Sequence, residues 1–509
     1  MGLINFLKGV FRKMVVTPST IAEVLKINPT ISSPMKDSIE LWEAMYKGES
    51  PWLDENTKSL GIATMIASEK ARMATLEMEI KVTGDNERAK YIEEQFQKVL
   101  RTIRTQLEYG IALGGLVIKP YVVMGPNGKF KIEVNYTKAT HFYPLSFSPE
   151  GKITEAAFVD RFATKEAVFS KVEHHKLQDN TLIVTNMAYR KEIIDGNPSY
   201  YDPHDTELGY PIPLTDVDVW KTLVPQITIP NMDDLLFVYF KMPQANNVDL
   251  ESPLGVSGFS KAIDLIEQAD KAYSNLLWEF EGGQLAVDVD RTCFNIYRDE
   301  KGKDVYTLPK LQDRLFRRTL DLGDDANSYN VFAPTLRDKS ILNEINSILV
   351  QIENICDMSR GSLANIQYTE ARTATEIKVL KQRSYSANQD IQKELESCLK
   401  SVFKIMDFYC DMYNIVPAGD FQVSYKWDDS IIIDKESEKQ VDLLDVQAGL
   451  MSKVEYRMKW MGETEEQATE AINKVNKQRE TDIEIESKRS NNQTTLERAN
   501  DSNKVTNNI

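Results

Sequence analysis

Histidine and cysteine are scarce, four of each in 509 residues. So few imidazoles argue against a histidine-based metal enzyme. Cys293, Cys356, Cys398 and Cys410 form no Cys-x-x-Cys pair and no tight framework. That spacing excludes a disulfide-stapled scaffold and fits a reducing compartment. No apolar run approaches the ~18–20 residues that a bilayer-spanning helix needs. Positive charge is short as well, with 61 Lys+Arg against 77 Asp+Glu and a net charge of −16. A protein that coats nucleic acid needs the opposite balance, because phosphate contacts are made by Lys and Arg.

What remains is ordinary globular composition: 42% hydrophobic and 27% charged residues. This supports a packed core, excludes wholesale disorder, and at this length suggests about three domains. The first residues place Leu3, Phe6, Leu7, Val10 and Phe11 on one helical face. Their charges follow the apolar part, the reverse of a signal peptide, and Phe6 stands where myristoylation wants Ser or Thr. A short helix docked on its own protein is expected there.

No catalytic constellation survives inspection. Gly125-Pro126-Asn127-Gly128-Lys129-Phe130 has neither the spacing nor the hydroxyl of a phosphate-binding loop. His174 and His175 are adjacent, so on a strand they face opposite ways. Asp288 and Asp290 open like a calcium loop, but Cys293 replaces the required Gly and Asp299 the bidentate Glu. Asp428, Asp429 and Asp434 read as charged ends of the apolar run 431–433. Gly255-Val256-Ser257-Gly258 lacks the spacing of a nucleophile elbow, and Ser257 reads as a helix N-cap. No metal, no cofactor and no enzymatic activity are expected.

Periodicity organises the rest. Residues 20–109 are mostly helical in pattern, with Ile92, Phe96, Val99, Leu100, Ile103 and Leu107 on one stripe. The pattern turns β-rich after Gly114-Gly115, with hairpin turns at 125–128 and 148–151 and further runs at 153–162 and 182–189. A helix is predicted over 257–282, closed by Gly282-Gly283. Residues 284–335 are mixed and charged. Ile341, Leu342, Ile345, Ile348, Leu349, Ile352 and Ile355 predict a second helix ending at 359–361. A polar loop follows, and Thr373-Ala374-Thr375-Glu376 is a capping box opening a helix to about residue 413. So long a helix suggests a kink. Strands at 421–425 and 431–433, a helical run over 436–476 and a polar, disordered tail from 481 complete the reading.

Several segments are similar to those of portal proteins of tailed bacteriophages, of the siphophage type found in Gram-positive hosts. They are Lys171-Val172-Glu173-His174-His175 with Thr181-Leu182-Ile183-Val184-Thr185-Asn186; Phe240-Lys241-Met242-Pro243-Gln244 leading through Ser252-Pro253-Leu254-Gly255; Trp278-Glu279-Phe280-Glu281-Gly282-Gly283; and Trp427-Asp428-Asp429-Ser430 running on to Glu463-Thr464-Glu465-Glu466. Their order covers roughly residues 1–475. The resemblance implies an α+β portal fold with helical stem, mostly β or mixed wing, small α/β clip and helical crown. It places wing helices at 1–110, β-rich wing at 111–256, stem helix at 257–282, clip at 283–335 and a stem/wing helix at 336–360. A tunnel loop at 361–372, a long kinked helix with wing strands at 373–434, a crown at 435–480 and the tail at 481–509 follow.

It further implies a structural protein of the virion, assembled in the host cytoplasm. A homo-oligomeric ring, dodecameric in the virion, would sit at one capsid vertex with double-stranded DNA passing through its channel during packaging and ejection. Partners would be the terminase large subunit, a head-completion or adaptor protein, and the major capsid and scaffolding proteins; no membrane is involved. Net acidity suits a conduit that must not hold DNA. In the loop, Asn365, Gln367, Tyr368, Glu370 and Arg372 could meet phosphates, while Leu363 and Ile366 could pack loop on loop. Arg314, Arg317 and Arg318 in the clip could contact DNA or an acidic partner, or form a solvated surface cluster. The alternative is a minor head or adaptor protein that binds a portal. A head-associated nuclease would need an acidic metal site, and none was found.

Overall fold

The structure is a computed structural model that describes residues 32–76, 78–125, 127–193, 208–290, 295–307, 316–319, 329–365, 374–427 and 435–478. It forms two compact units, Met1–Asp428 and Asp429–Ile509. The expected helix at 3–11, Cys293, the strand at 431–433 and the tail lie outside the described residues.

In the first unit, helix α1 (Ser33–Lys47) is capped by the Ser32 hydroxyl and closed by left-handed Gly48; α2 (Ile62–Thr75) follows. Strand β1 (Met78–Thr83) then interrupts the stretch expected to be mostly helical. Its Met78, Ile80 and Val82 alternate with exposed Glu79, Lys81 and Thr83, the period of a half-buried strand. Helix α3 (Glu87–Leu113) starts where the Asn86 side chain accepts from the Ala89 N–H and ends at Gly114, φ 82°. Its buried stripe Ile92, Phe96, Val99, Ile103, Leu107 and Ile111 is the spine of the main core.

The predicted β region is real. Strands β2 (Gly115–Met124) and β3 (Phe130–Lys138) pair antiparallel across the Gly125–Gly128 turn. Strands β4 (Phe142–Phe147), β5 (Ile153–Ala163), β6 (Ala167–Gln178) and β7 (Thr181–Glu192) form an antiparallel meander, and β8 (Tyr210–Ile212) and β9 (Gln226–Pro230) both pair with β7. The β6–β7 turn uses Asp179 and Asn180, both at positive φ, as a two-residue hairpin requires. Strand β10 (Val238–Lys241) returns to the other edge of β2.

Helix α4 (Ile263–Gly282) begins six residues later than Ser257. The Ser257 hydroxyl accepts from the Phe259 N–H instead, a local turn that precedes a short 3₁₀ segment. Residues 283–335 hold strands β11 (Ala286–Asp290), β12 (Asn295–Arg298), β13 (Asp304–Thr307), β14 (Phe316–Thr319) and β15 (Tyr329–Phe332). Strand β11 is central, parallel to β14 and antiparallel to β15. The described part of this module is all strand and loop, where an α/β module was expected.

Helix α5 (Asp338–Ile355) and helix α6 (Ala374–Met412) follow. The latter starts where the capping box places it, and its 39 residues are helical without interruption, about 58 Å at ~1.5 Å per residue. The side chains of the box itself lie outside the described residues. Ile391, Leu395, Leu399, Val402, Phe403 and Met406 bury α6 in the main core, with the Phe403 ring 4.2 Å from that of Phe96. Strand β16 (Gln422–Trp427) then pairs antiparallel with β1, Met78 opposite Trp427.

The second unit holds α7 (Lys435–Ala448), α8 (Lys453–Met461) and a helical stretch at 465–478. Left-handed Gly449 and Gly462 divide what was expected as one helical run.

Candidate functional site

The region that resembles stem, clip and loop is built on α4 and α5. Two glycines set the approach to α4: a Cβ on Gly255 would lie 2.0 Å from the Gly114 carbonyl oxygen, so the chains cross there backbone to backbone. That crossing, not a nucleophile, explains the Gly255–Gly258 pattern. The Gly258 N–H donates to the Ile111 carbonyl at 2.8 Å, tying the same segment to α3. Farther along, buried Asp270 accepts from Trp52 Nε1 at 2.9 Å and from the Leu60 N–H at 2.7 Å. Burial pushes the Asp270 carboxyl above its ordinary pKa.

Helix α5 runs back along α4, with Ala272, Leu276 and Ile345 buried between them. At the strand-module end Glu279 accepts from the Arg337 N–H at 2.9 Å and from Arg337 Nη2 at 2.7 Å, which supplies the missing cap of α5. The guanidinium holds the Glu279 carboxyl below its usual range. Gly283 has φ −87°, so it is no left-handed cap; a Cβ there would lie 2.8 Å from the Glu279 carbonyl oxygen, and that close backbone approach favours glycine.

At the other end of α5 the chain reverses through Asp357, φ 55°, and Gly361, φ 88°. Fully buried Glu353 governs this reversal. Its Oε1 accepts from the N–H groups of Gly361, Leu363 and Ala364 at 3.0, 2.6 and 2.8 Å. Asn346, two turns earlier, accepts from the Asn365 N–H at 2.7 Å.

Other candidate chemistry resolves into structure. His174 Nε2 pairs with Glu155 and His175 Nε2 with Glu173. Asp288 and Asp290 lie on β11, a strand paired on both sides, not in a loop. Cys356, Cys398 and Cys410 are buried and free, and burial pushes the Cys356 and Cys410 thiols up to about 11. Among the described residues no group of three His, Cys, Asp or Glu is placed to hold a metal, and no helix is long and apolar enough to cross a membrane.

The family model for phage portal protein, SPP1 Gp6-like, matches residues 36–484. The chain belongs to this family. Its fold is therefore the α+β portal fold, and the protein is a structural component of the phage capsid with a part in genome packaging. No curated protein matches the chain.

Within the portal protein, the residues singled out from sequence fall as follows. Leu363 is half-buried against the main core, and Asn365 is exposed with its N–H held by Asn346. Ile366, Gln367, Tyr368, Glu370 and Arg372 lie outside the described residues, as does Arg314. Arg317 and Arg318 are on β14, opposite Asp288 and Val289 of β11. Residues 361–365, which open the expected loop, have the amides of Gly361, Leu363, Ala364 and Asn365 bonded to side chains of α5. Sequence reading missed Glu353, although it follows Ile345, Leu349 and Ile352 on the buried stripe. A carboxylate at i+8 from a buried Ile was the available signal.

Proposed function

We propose that copies of this portal protein close into a ring at one capsid vertex and pass double-stranded DNA along its axis during packaging and ejection. The ring docks the terminase large subunit and later the head-completion proteins, and has no catalytic step of its own. In this reading α4 and α5 are the stem, 283–335 the clip, 361–372 the tunnel loop, 111–256 part of the wing and 435–480 the crown. One observation carries it: an antiparallel helix pair holds a strand module at one end and leads into a loop at the other, within a family match over residues 36–484. The exposed Leu277, Trp278 and Phe280 of α4 favour neighbours around a ring over a solitary chain.

Two measurements test the proposal together. Light scattering on purified protein should give about twelve chain masses, or one more or less, and negative-stain images should show an axial hole. A stable monomer across salt conditions favours the adaptor alternative and sinks the ring. Gln367→Ala and Tyr368→Ala should leave assembly intact and reduce nuclease-protected DNA. Normal packaging by both variants would remove the loop from the DNA path.

A further inference from the structure

Glu353 stands out because its surroundings do not favour it. It occupies the apolar stripe of α5, is fully buried, and its Oε2 has no hydrogen-bond partner among the described residues. A buried polar atom without a partner is costly, so an apolar residue would suit the helix face better. The other oxygen supplies the reason for a carboxyl. Three amides, those of Gly361, Leu363 and Ala364, converge on Oε1, and an apolar side chain would orphan all three. Asn346, seven residues earlier and so on the same face, takes the next amide at Asn365. Ala364 is buried and Leu363 half-buried against the main core, so apolar contact and hydrogen bonds act on the same five residues. The main chain joins in: the Met358 N–H donates to the Glu353 carbonyl at 2.9 Å.

We propose that Glu353, with Asn346 in support, is a positioning residue that fixes residues 361–365 to helix α5, so that the start of the tunnel loop moves with that helix as one body. The inference rests on the loop assignment made above and adds its control. Whatever rotates or shifts α5 sets the direction in which the loop leaves it. Because α5 also begins at the Glu279–Arg337 pair beside the strand module, one rigid helix joins that module to the loop.

The experiment reads hydrogen exchange by mass spectrometry on assembled protein, with peptides covering 359–365, together with nuclease-protected DNA. Glu353→Ala should raise exchange at 361–365 at least tenfold and leave peptides from β2 and β3 unchanged. Glu353→Gln, which keeps an oxygen acceptor, should raise it less. Asn346→Ala should affect the end of the segment alone. If Glu353→Ala fails to assemble, the other two variants are read in its place. Unchanged exchange at 361–365 in the variants that assemble overturns the proposal, whatever the DNA does. Raised exchange with reduced protected DNA upholds it in full. Raised exchange with normal DNA upholds the fixing of 361–365 and overturns the loop's role in the channel.

Discussion

His175 of β6 has Phe158 and Phe237 edge-on to its ring, Nε2 on Glu173, and Nδ1 without a hydrogen-bond partner among the described residues. Burial pushes its pKa below the ordinary value, and Lys119 of β2 and neighbouring His174 add to this against the pull of Glu173. Glu173 in turn stays well below the carboxylate range: burial opposes this, but Lys119, His175 and Lys171 outweigh it. The unfolded chain therefore takes up a proton near pH 6.5 that the folded chain resists. The stability from a neutral His175 is complete above that pH and is lost as pH falls below it. Thermal unfolding should show a larger drop in Tm between pH 7 and 5.5 for the wild type than for His175→Gln; equal drops would refute the assignment. Arg88 is another buried charge, 2% exposed. It donates to Asp407 and Asp411 on α6 and to the carbonyls of Val416 and Pro417. The two carboxylates are partly solvated, so the loss in Arg88→Ala comes mainly from orphaned carbonyls and lost packing. We predict about 1–3 kcal/mol in denaturant unfolding. The role of Arg88 was not legible in sequence, because Glu87-Arg88-Ala89-Lys90 reads as any solvated helix start and its partners lie more than 300 residues away.

Elements were legible where a long stripe repeats. Helices α3, α4 and α5 show their buried faces at i, i+3 and i+4, and the two hairpins carry their turns openly as Gly125–Gly128 and Ser148–Gly151. Strand β1 did not stand out, since six alternating residues between two helices offer little signal and the partner strand is remote. Ser257 misled because a hydroxyl before an apolar run signals a cap, whereas here a close crossing of chains has already fixed the backbone. That crossing yields a sharp expectation. Gly114 combines φ 82° with a would-be Cβ only 2.6 Å from the Gly255 carbonyl oxygen. Gly114→Ala should cost about 1–3 kcal/mol from the backbone conformation alone, with the clash added to it. Gly128→Ala, also at positive φ but in open space, should lose distinctly less in the same denaturant titration.

At the scale of the whole first unit, Thr83 and Gln422, which meet where β1 joins β16, are 339 residues apart in sequence. Arg88 likewise finds its partners only when 407–417 are present. At a synthesis rate of ~5–20 residues per second, β1 waits roughly 17–70 s for its mate. Until then its edge is open and the Arg88 guanidinium lacks the acceptors that hold it. A chain stopped at residue 420 should therefore stay out of assemblies when co-expressed with the full-length protein, and co-sedimentation of the two would disprove this. If that holds, then seen from the ribosome the late strand serves as an inspection of the message, keeping a prematurely terminated product from spoiling a shared structure.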